Sequence, residues 1–409
     1  MSCKKGLESH DGGCSHESQS ILAMNGLHWI AALAISAFGL LVVGASAGSA
    51  PPVTPNASPE AVALLNFFYG LSGRHTLTGQ HNFPNTRDES TLRTTRIYGK
   101  TPAIFGQDFG FAAPGDKDSV AARPAIVAEC ERQFASGSLI ALCWHAVPPT
   151  ADEPVTFRPR PESGTSNKLA SVQGRLTEEE WRELLTPGTA LYQHWCAQVD
   201  VIAGFLKQLQ AARVPVLWRP YHEMNGNWFW WGGRPGQHGT PALYRQLFDR
   251  LVNVHRLTNL VWVWSVDRPG ENAGSFADFY PGKECFDIAA LDVYRNDFQK
   301  SYYDELLRLA DGKPIALAEV GPPPGVAILE QQPKWSWWMS WASTGRGITN
   351  ESVRALFEDS RSWSRSDAEY RAAMAAILKA SGRTPPPEEE NLEQKGGRPG
   401  EAPETPHGF

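Results

Sequence analysis

The chain has 409 residues, 42% of them hydrophobic, and a formal net charge of −6 at pH 7. That length exceeds an average domain, yet barrels of roughly 250–300 residues count as one domain, and the apolar share is enough for a large core. No basic excess marks a nucleic-acid partner; the compositional outlier is the 15 tryptophans, most of them in the middle and late parts of the chain.

Residues 1–50 read as a leader. The apolar stretch 27–50 ends in small residues with Ala45-Ser46-Ala47 in an A-x-A arrangement, and Lys4 and Lys5 give a weakly basic start diluted by Glu8, Asp11 and Glu17. A cleavable secretory signal is the preferred reading and a retained single-span membrane anchor the alternative. Both put the catalytic domain outside the cytoplasm. A Pro-rich spacer, 51–59, follows.

From 60 to 382 short apolar runs alternate with longer amphipathic segments. Strands are expected at 75–79, 102–107, 139–143, 214–218, 260–264, 288–293, 314–318 and 336–340. Helices are expected at 88–98, 120–136, 189–212, 241–256, 303–310 and 366–381. Eight strands with helices between them give a single α/β domain, a (β/α)8 TIM barrel. An open doubly wound sheet is the rival, but no glycine-rich phosphate turn follows the first strand. Residues 383–409, rich in Pro, Glu and Gly, lack apolar periodicity and read as a disordered tail.

Polar residues cluster where such a barrel has its active-site face. Gln80-His81, Asp108, His145, Glu223, Ser265, Asp267, Asp292, Tyr294, Glu319 and Trp341 all fall at or just past the C-terminal end of an expected strand, the rim that carries the chemistry in barrel enzymes. Strand ends meet polar loops in any protein, so the weight lies on the set.

The run from Trp218 to Gly232, WRPYHEMNGNWFWWG, is the most informative segment. An apolar strand leads directly into Glu223, and Trp228, Phe229, Trp230 and Trp231 follow. An ionised carboxylate is costly to bury, and four consecutive aromatics are unfavourable to expose. Together they imply a concave site with a carboxylate in dry surroundings beside flat apolar platforms. Sugar rings offer flat C–H faces to aromatics, and glycosidic bonds are cut by pairs of carboxyl groups. Glu319, which interrupts the apolar strand Ala316-Leu317-Ala318 at its exit, supplies the second. The two lie 96 positions apart (319 − 223), but a closed barrel can turn both onto one rim. Retention of configuration needs about 5–5.5 Å between them and inversion a wider gap, which spacing in sequence does not decide.

Cys130, Cys143, Cys196 and Cys285 allow three pairings or none, and their spacing fits no zinc pattern. Cys143, in an apolar strand, reads as a buried small hydrophobe; one disulfide among the others would suit an exported protein. His222-Glu223 begins like a metalloprotease signature, but Gly226 stands where its second His belongs. No metal and no cofactor is expected.

At this point the motifs carry a resemblance. The run at 218–232, ALAEVG at 316–321, LTGQH at 77–81, CWH at 143–145 and ALDVY at 290–294 resemble glycoside hydrolase family 26. That family belongs to a clan of barrel hydrolases with the acid/base on strand four and the nucleophile on strand seven. Most members are endo-acting β-1,4-mannanases that retain configuration; smaller groups cleave β-1,3-xylan or mixed-linkage β-glucan. The resemblance implies Glu223 as acid/base and Glu319 as nucleophile. It implies His222 and His145 as contacts around the cleaved sugar, Trp228 as a cleft aromatic, and Tyr294, with Asp292 in the same motif, as the hydrogen-bond partner of the nucleophile. Trp341 would be the eighth-strand platform, with Trp335, Trp337 and Trp338 leaving the register open.

The physics of the residues agrees. Glu223 has to stay protonated, so desolvation against Trp228 and Phe229 should raise its pKa. Glu319 has to be ionised and needs donors, which Tyr294 and Arg219 could supply; Arg219 could equally be a structural ion-pair partner. A histidine at a strand end is structural about as often as functional. The loop 146–180 departs from the family, whose mannanases often carry tryptophans there; this loop offers only Phe157 ahead of residue 180. The sequence therefore reads as a monomeric retaining endo-1,4-β-mannanase acting on mannan, galactomannan or glucomannan. The alternatives are a β-1,3-xylanase or mixed-linkage β-glucanase with the same catalytic pair, or a silent carbohydrate-binding barrel.

Overall fold

The computed structural model describes residues 49–110, 120–157, 170–341 and 350–386. The leader up to residue 48, with its Ala45-Ser46-Ala47 site, and the tail from 387 lie outside the described residues.

Eight parallel strands close on themselves: β1 Thr76–His81, β2 Ile104–Asp108, β3 Leu139–Trp144, β4 Val216–Pro220, β5 Leu260–Asp267, β6 Ile288–Val293, β7 Ile315–Val320 and β8 Trp335–Ser340. Each pairs with the next, and β8 pairs back onto β1 through Leu77–Trp337 to Gln80–Ser340. This is the expected (β/α)8 barrel. Its strands are covered on both faces, by the barrel interior and by the helices, so they read as continuous apolar runs. β4 starts two residues later than the periodicity implies and continues to Pro220, which puts Arg219 inside the sheet rather than beyond it.

Six helices fall where the periodicity placed them: α2 Glu89–Tyr98, α3 Arg123–Ala135, α5 Ala190–Ala211, α6 Thr240–Asp249, α7 Lys300–Ala310 and α10 Ala368–Ala380. Four more were not read from the sequence: α1 Pro59–Leu71, α4 Glu178–Leu184, α8 Val326–Gln331 and α9 Asn350–Glu358. In α4 the start is fixed by a capping box, Thr177 and Glu180 each bonding the other's backbone N–H.

Helix α1 closes the end of the barrel away from the polar rim. Just ahead of it the Ser58 N–H donates to the Thr258 carbonyl (2.8 Å), before β5. The Val53 N–H donates to Asp287 Oδ1 (2.7 Å), before β6. From α1 the Phe68 ring meets the indole of Trp337 at a centroid distance of 5.1 Å. Trp337 in turn lines the barrel interior with Ala141, Leu217, Val263, Ala318 and Met339. The four cysteines at 130, 143, 196 and 285 are all buried free thiols. Cys143 is the small buried group expected of it, and the disulfide considered for the others is not formed. Among the described residues no helix is long and apolar enough to cross a membrane.

Because the Phe68–Trp337 contact seals the barrel floor, Phe68→Ala leaves a void that the rigid strands above cannot close. We expect a loss of about 3–5 kcal/mol in denaturant unfolding, with the specific activity of the folded protein unchanged. A loss under about 1 kcal/mol would show that α1 is peripheral to the core.

Candidate active site

Register places three carboxylates at one level on neighbouring strands. Asp267 on β5 is the pairing partner of Asp292 on β6, and Asp292 is the partner of Glu319 on β7. All three are buried. Arg219, projecting from β4, spans two of them: Nη1 donates to Asp292 Oδ2 at 2.8 Å and Nη2 donates to Glu319 Oε1. The Ser265 hydroxyl donates to Asp292 Oδ1 (3.0 Å) and the Tyr294 hydroxyl to Glu319 Oε2 (2.7 Å). Both oxygens of Glu319 are thus held by donors, one of them charged, as an ionised carboxylate in a dry site requires. The two roles considered for Arg219 coincide, since it donates to Glu319 by being ion-paired in the core.

Glu223 sits in a turn that the sequence would not adopt unaided. Tyr221 and Glu223 both have left-handed backbones (φ 47° and 49°), an arrangement that costs a non-glycine residue about 1–3 kcal/mol and persists only when its surroundings enforce it. The enforcing contacts are all present. Trp195 Nε1 donates to the Tyr221 hydroxyl (2.8 Å) and Trp231 Nε1 to the His222 carbonyl (2.9 Å). Asn225 exchanges two 2.7 Å bonds with the Asp267 backbone, stitching the turn to β5. Gly226 has to be glycine: a Cβ there would lie 2.3 Å from the Trp228 ring.

The Trp228 indole donates to Glu223 Oε2 at 2.6 Å, which leaves Oε1 to carry a proton. Burial pushes the Glu223 pKa well above the carboxylate range, and the neighbouring charges of Glu319, Asp292 and Asp267 push it further, against the opposing Trp228 N–H. Asp267 is raised to about 6, mainly by burial, with Arg268 pulling the other way. Glu223, Asp292 and Glu319 each offer an oxygen within 4.8 Å of the others, as a shared cation would need; the Arg219 guanidinium already sits against two of them.

On the other side of the rim stand the imidazoles. His145 Nε2 lies 3.1 Å from His222 Nε2, and His222 Nε2 lies 4.0 Å from Glu319 Oε1. Burial, then Arg219 and the other two histidines, hold His222 neutral, its pKa well below the usual imidazole value. His81 is pushed down to about 3 by burial, and its ring lies flat against Trp341, centroids 3.8 Å apart. Trp341 is half-exposed at the rim, whereas Trp335, Trp337 and Trp338 are buried, so the register of the eighth strand is resolved in favour of Trp341.

The aromatic run divides differently from expectation. Trp228 alone is half-exposed beside Glu223. Trp230 and Trp231 are fully buried, and the Trp230 indole N–H is spent on the Ala146 carbonyl (2.7 Å). Phe229 is buried too, stacked on Trp231 (4.4 Å, 19°) and set edge-on to His145 and His222. It braces the imidazoles and is not an open sugar platform, a correction to its reading as a substrate contact. Phe157, on the cleft loop, is exposed and approaches both His145 and Phe229 edge-on.

Asp108 was visible only as one of the polar strand ends. It accepts from His145 Nδ1 and, through Oδ1, from the backbone N–H groups of Gly110 (2.5 Å) and His145 (3.2 Å). The signal that singled out Glu319, a carboxylate ending an apolar strand, was present at Asp108 too. His81, Asp108 and Cys143 also have ligand-type atoms within 4.8 Å of one another; there the Cys143 thiol donates to Asp108 Oδ2 (3.2 Å).

The family model described as Glycosyl hydrolase family 26 matches residues 53–367. A mannan endo-1,4-beta-mannosidase of Thermothelomyces thermophilus is 33% identical over 298 residues, which cover 71% of this chain and 56% of that protein, just over half its length. Another, from Bacillus subtilis, is 28% identical over 342 residues, 76% of this chain and 86% of its own. Among solved structures, GH26A from Muricauda sp. superposes with a TM-score of 0.70 at 41% identity, covering 76% of this chain and 98% of that one. A beta-mannanase from a symbiotic protist of the termite Reticulitermes speratus, solved with a gluco-manno-oligosaccharide, gives 0.63 at 26%, covering 78% and 97%.

The raised Glu223 pKa has a consequence for stability. Unfolded, the group ionises near pH 4.3; folded, it keeps its proton to higher pH. Its favourable contribution is therefore complete below the unfolded value and is lost as pH rises toward the folded one. Glu223→Gln does not titrate, so its Tm advantage over the parent should grow between pH 5 and pH 8, by up to about 1.4 kcal/mol per pH unit. A gap that narrows with rising pH would contradict the charge arrangement described.

Proposed function

The chain belongs to glycosyl hydrolase family 26, and from that premise we propose that it is a retaining endo-1,4-β-mannanase cleaving mannan, galactomannan or glucomannan by double displacement. One observation carries the mechanistic part: a carboxyl oxygen of Glu223 lies within 4.8 Å of one of Glu319, close to the separation of about 5–5.5 Å that goes with a covalent glycosyl intermediate. A single inverting displacement would call for a wider gap, roughly 6.5–9.5 Å, to hold its water.

Glu319, ionised and oriented by Arg219 and Tyr294, attacks the anomeric carbon. Glu223 gives the proton on Oε1 to the departing glycosidic oxygen. In the second step Glu223, now a carboxylate, takes a proton from water as that water displaces Glu319, and the starting state is restored. While Glu319 is bound to the sugar its charge is gone, which lets Glu223 stand as a carboxylate; the charge that returns when Glu319 is released then favours Glu223 keeping the proton taken from water. Trp228 and Trp341, the two half-exposed indoles at the rim, offer apolar faces to sugar rings. His145 and His222 border the position of the sugar being cut. Asp292 acts from behind, by fixing Arg219.

The mannan assignment draws on the two mannan endo-1,4-beta-mannosidases, which this chain resembles over 71% and 76% of its length. We take the chain to act as a monomer. Because a polysaccharide does not cross a membrane intact, the same reading puts the catalytic domain outside the cytoplasm, secreted or held by a retained anchor.

Glu223→Ala should lower turnover of mannan by about 10²–10⁴-fold and spare the glycosylation step for aryl glycosides whose leaving groups need no proton. Glu319→Ala should abolish turnover of both. Parallel assays on mannan, β-1,3-xylan and lichenan, with anomeric analysis of mannohexaose products, test the substrate and the stereochemistry. Hydrolysis of lichenan or xylan with mannan untouched would overturn the specificity, and products of inverted configuration the mechanism.

A further inference from the structure

A file of buried polar groups leads from Glu319 across the rim to β2, with a 4.0 Å approach at its first step and hydrogen bonds at the rest. In order it passes Glu319 Oε1, His222 Nε2 at 4.0 Å, His145 Nε2 at a further 3.1 Å, and His145 Nδ1 against Asp108 Oδ2. Every member is buried. The relatives' names say nothing of Asp108, and the reaction as derived above does not use it.

The two ends of the file each fix where its hydrogens lie. At one end, burial alone would raise the Asp108 pKa, but the His145 and His81 imidazoles and the Gly110 N–H hold it well below the carboxylate range. Asp108 therefore only accepts, and His145 Nδ1 must carry a hydrogen. With one ring hydrogen placed on Nδ1, His145 offers a lone pair at Nε2, 3.1 Å from His222 Nε2, which is then the donor of that pair. At the other end, His222 is neutral and its Nδ1 has no partner. A hydrogen on that nitrogen would be an orphaned buried N–H, rarer and more costly in proteins than an unused lone pair. This too puts the His222 hydrogen on Nε2. The two arguments are independent and agree.

We propose that Asp108 is a positioning residue that sets the tautomers of both histidines, so that His222 Nε2, 4.0 Å from the carboxylate of Glu319, carries the hydrogen it donates to His145 and turns no lone pair toward that carboxylate. With the opposite tautomers, His222 would turn a lone pair toward that carboxylate instead, and a donor beside a negative oxygen would become a repelling acceptor. Asp108 acts at a distance of two imidazole rings and needs no contact with substrate. Its own placement is rigid. Two backbone N–H groups hold Oδ1, and a Cβ on Gly110 would lie 2.2 Å from the His145 carbonyl oxygen, so only glycine lets the loop close this tightly on His145.

The same two N–H groups make the test sharp. In Asp108→Asn the amide oxygen must stay on them, which turns the NH2 toward His145 Nδ1. That nitrogen must then be an acceptor, His145 Nε2 becomes the donor, and the His222 hydrogen moves to Nδ1. Two-bond 1H–15N correlation spectra of the full chain, with the histidine resonances identified by single substitutions, read each tautomer directly. In the parent protein we expect His145 protonated at Nδ1 and His222 at Nε2, and in Asp108→Asn both reversed. The variant should lose kcat by about 10- to 100-fold, the range seen when the group orienting a working imidazole is removed, with KM within about twofold.

A parent spectrum with His222 protonated at Nδ1, or with His145 carrying both hydrogens, overturns the proposal without any variant having to fold. Unchanged tautomers in Asp108→Asn overturn it as well. Reversed tautomers with kcat intact overturn the link to the reaction. Only the kinetic arm rests on Glu319 as nucleophile. If Glu319→Ala kept full activity that reading would fail, while the spectra would still decide the tautomers.

Discussion

The whole rim is organised around one guanidinium. Glu223, Asp267, Asp292 and Glu319 are buried together, and Arg219 reaches two of them, Asp292 and Glu319. Four carboxylates with a single central cation cannot all ionise away from water; one at least must keep its proton. Burial raises Glu223 and Asp292 both well above the carboxylate range. Asp292 and Glu319 share Arg219, and Asp267 has Arg268 at 3.6 Å, whereas Glu223 has a neutral indole for its nearest partner, and on that ground we assign the proton to Glu223. In the proposed reaction the distinction between acid and nucleophile then comes from where one arginine reaches, in two side chains of identical chemistry.

That arrangement sets demands on the backbone. Arg219 has to lie in the strand to reach across to β6 and β7, yet Glu223, only four residues later, has to face the same space. The chain covers the interval with two left-handed residues, and tryptophans on either side of it in sequence hold them there. Trp195 and Trp231 each place an indole N–H on an oxygen of this turn, and Trp230 ties the segment that follows to the Ala146 carbonyl. Much of the chain's aromatic wealth is therefore spent on bracing a strained turn, and little of it on contacting sugar.

This explains what could be read from the sequence and what could not. The strands were legible because they are buried on both sides and run apolar without a break. Glu223 and Glu319 were legible because a carboxylate at the end of such a run has no bland explanation. Helix α1, PEAVALLNFFYGL, was missed because it is apolar on nearly every side as it crosses under the barrel, so it shows no stripe. Trp230 and Trp231 were misjudged because their partners, the Ala146 carbonyl 84 residues away for Trp230 and the His222 carbonyl for Trp231, are contacts of the folded chain. Asp108 was visible as a polar strand end but received no role, because what it does is done to His145, and nothing in the local pattern at either position reveals that they touch.

The two halves of the rim then differ in a way that suits a neutral, hydroxyl-rich substrate. Strands β4 to β7 carry most of the charged groups. Strands β1 and β3, with the start of the β4 turn, carry imidazoles around Asp108 of β2, and burial together with the Arg219 charge keeps His81 and His222 neutral. In the reaction proposed above, positive charge develops on the sugar only in the transition state, at the anomeric carbon between Glu223 and Glu319. Charge is useful there and wasteful elsewhere, because a cationic imidazole against the ring would oppose the developing oxocarbenium ion. Arg219 therefore does two things at once. Through its direct bond it keeps Glu319 held in place for attack, and through its field it keeps the neighbouring histidine from acquiring the charge that would work against that attack.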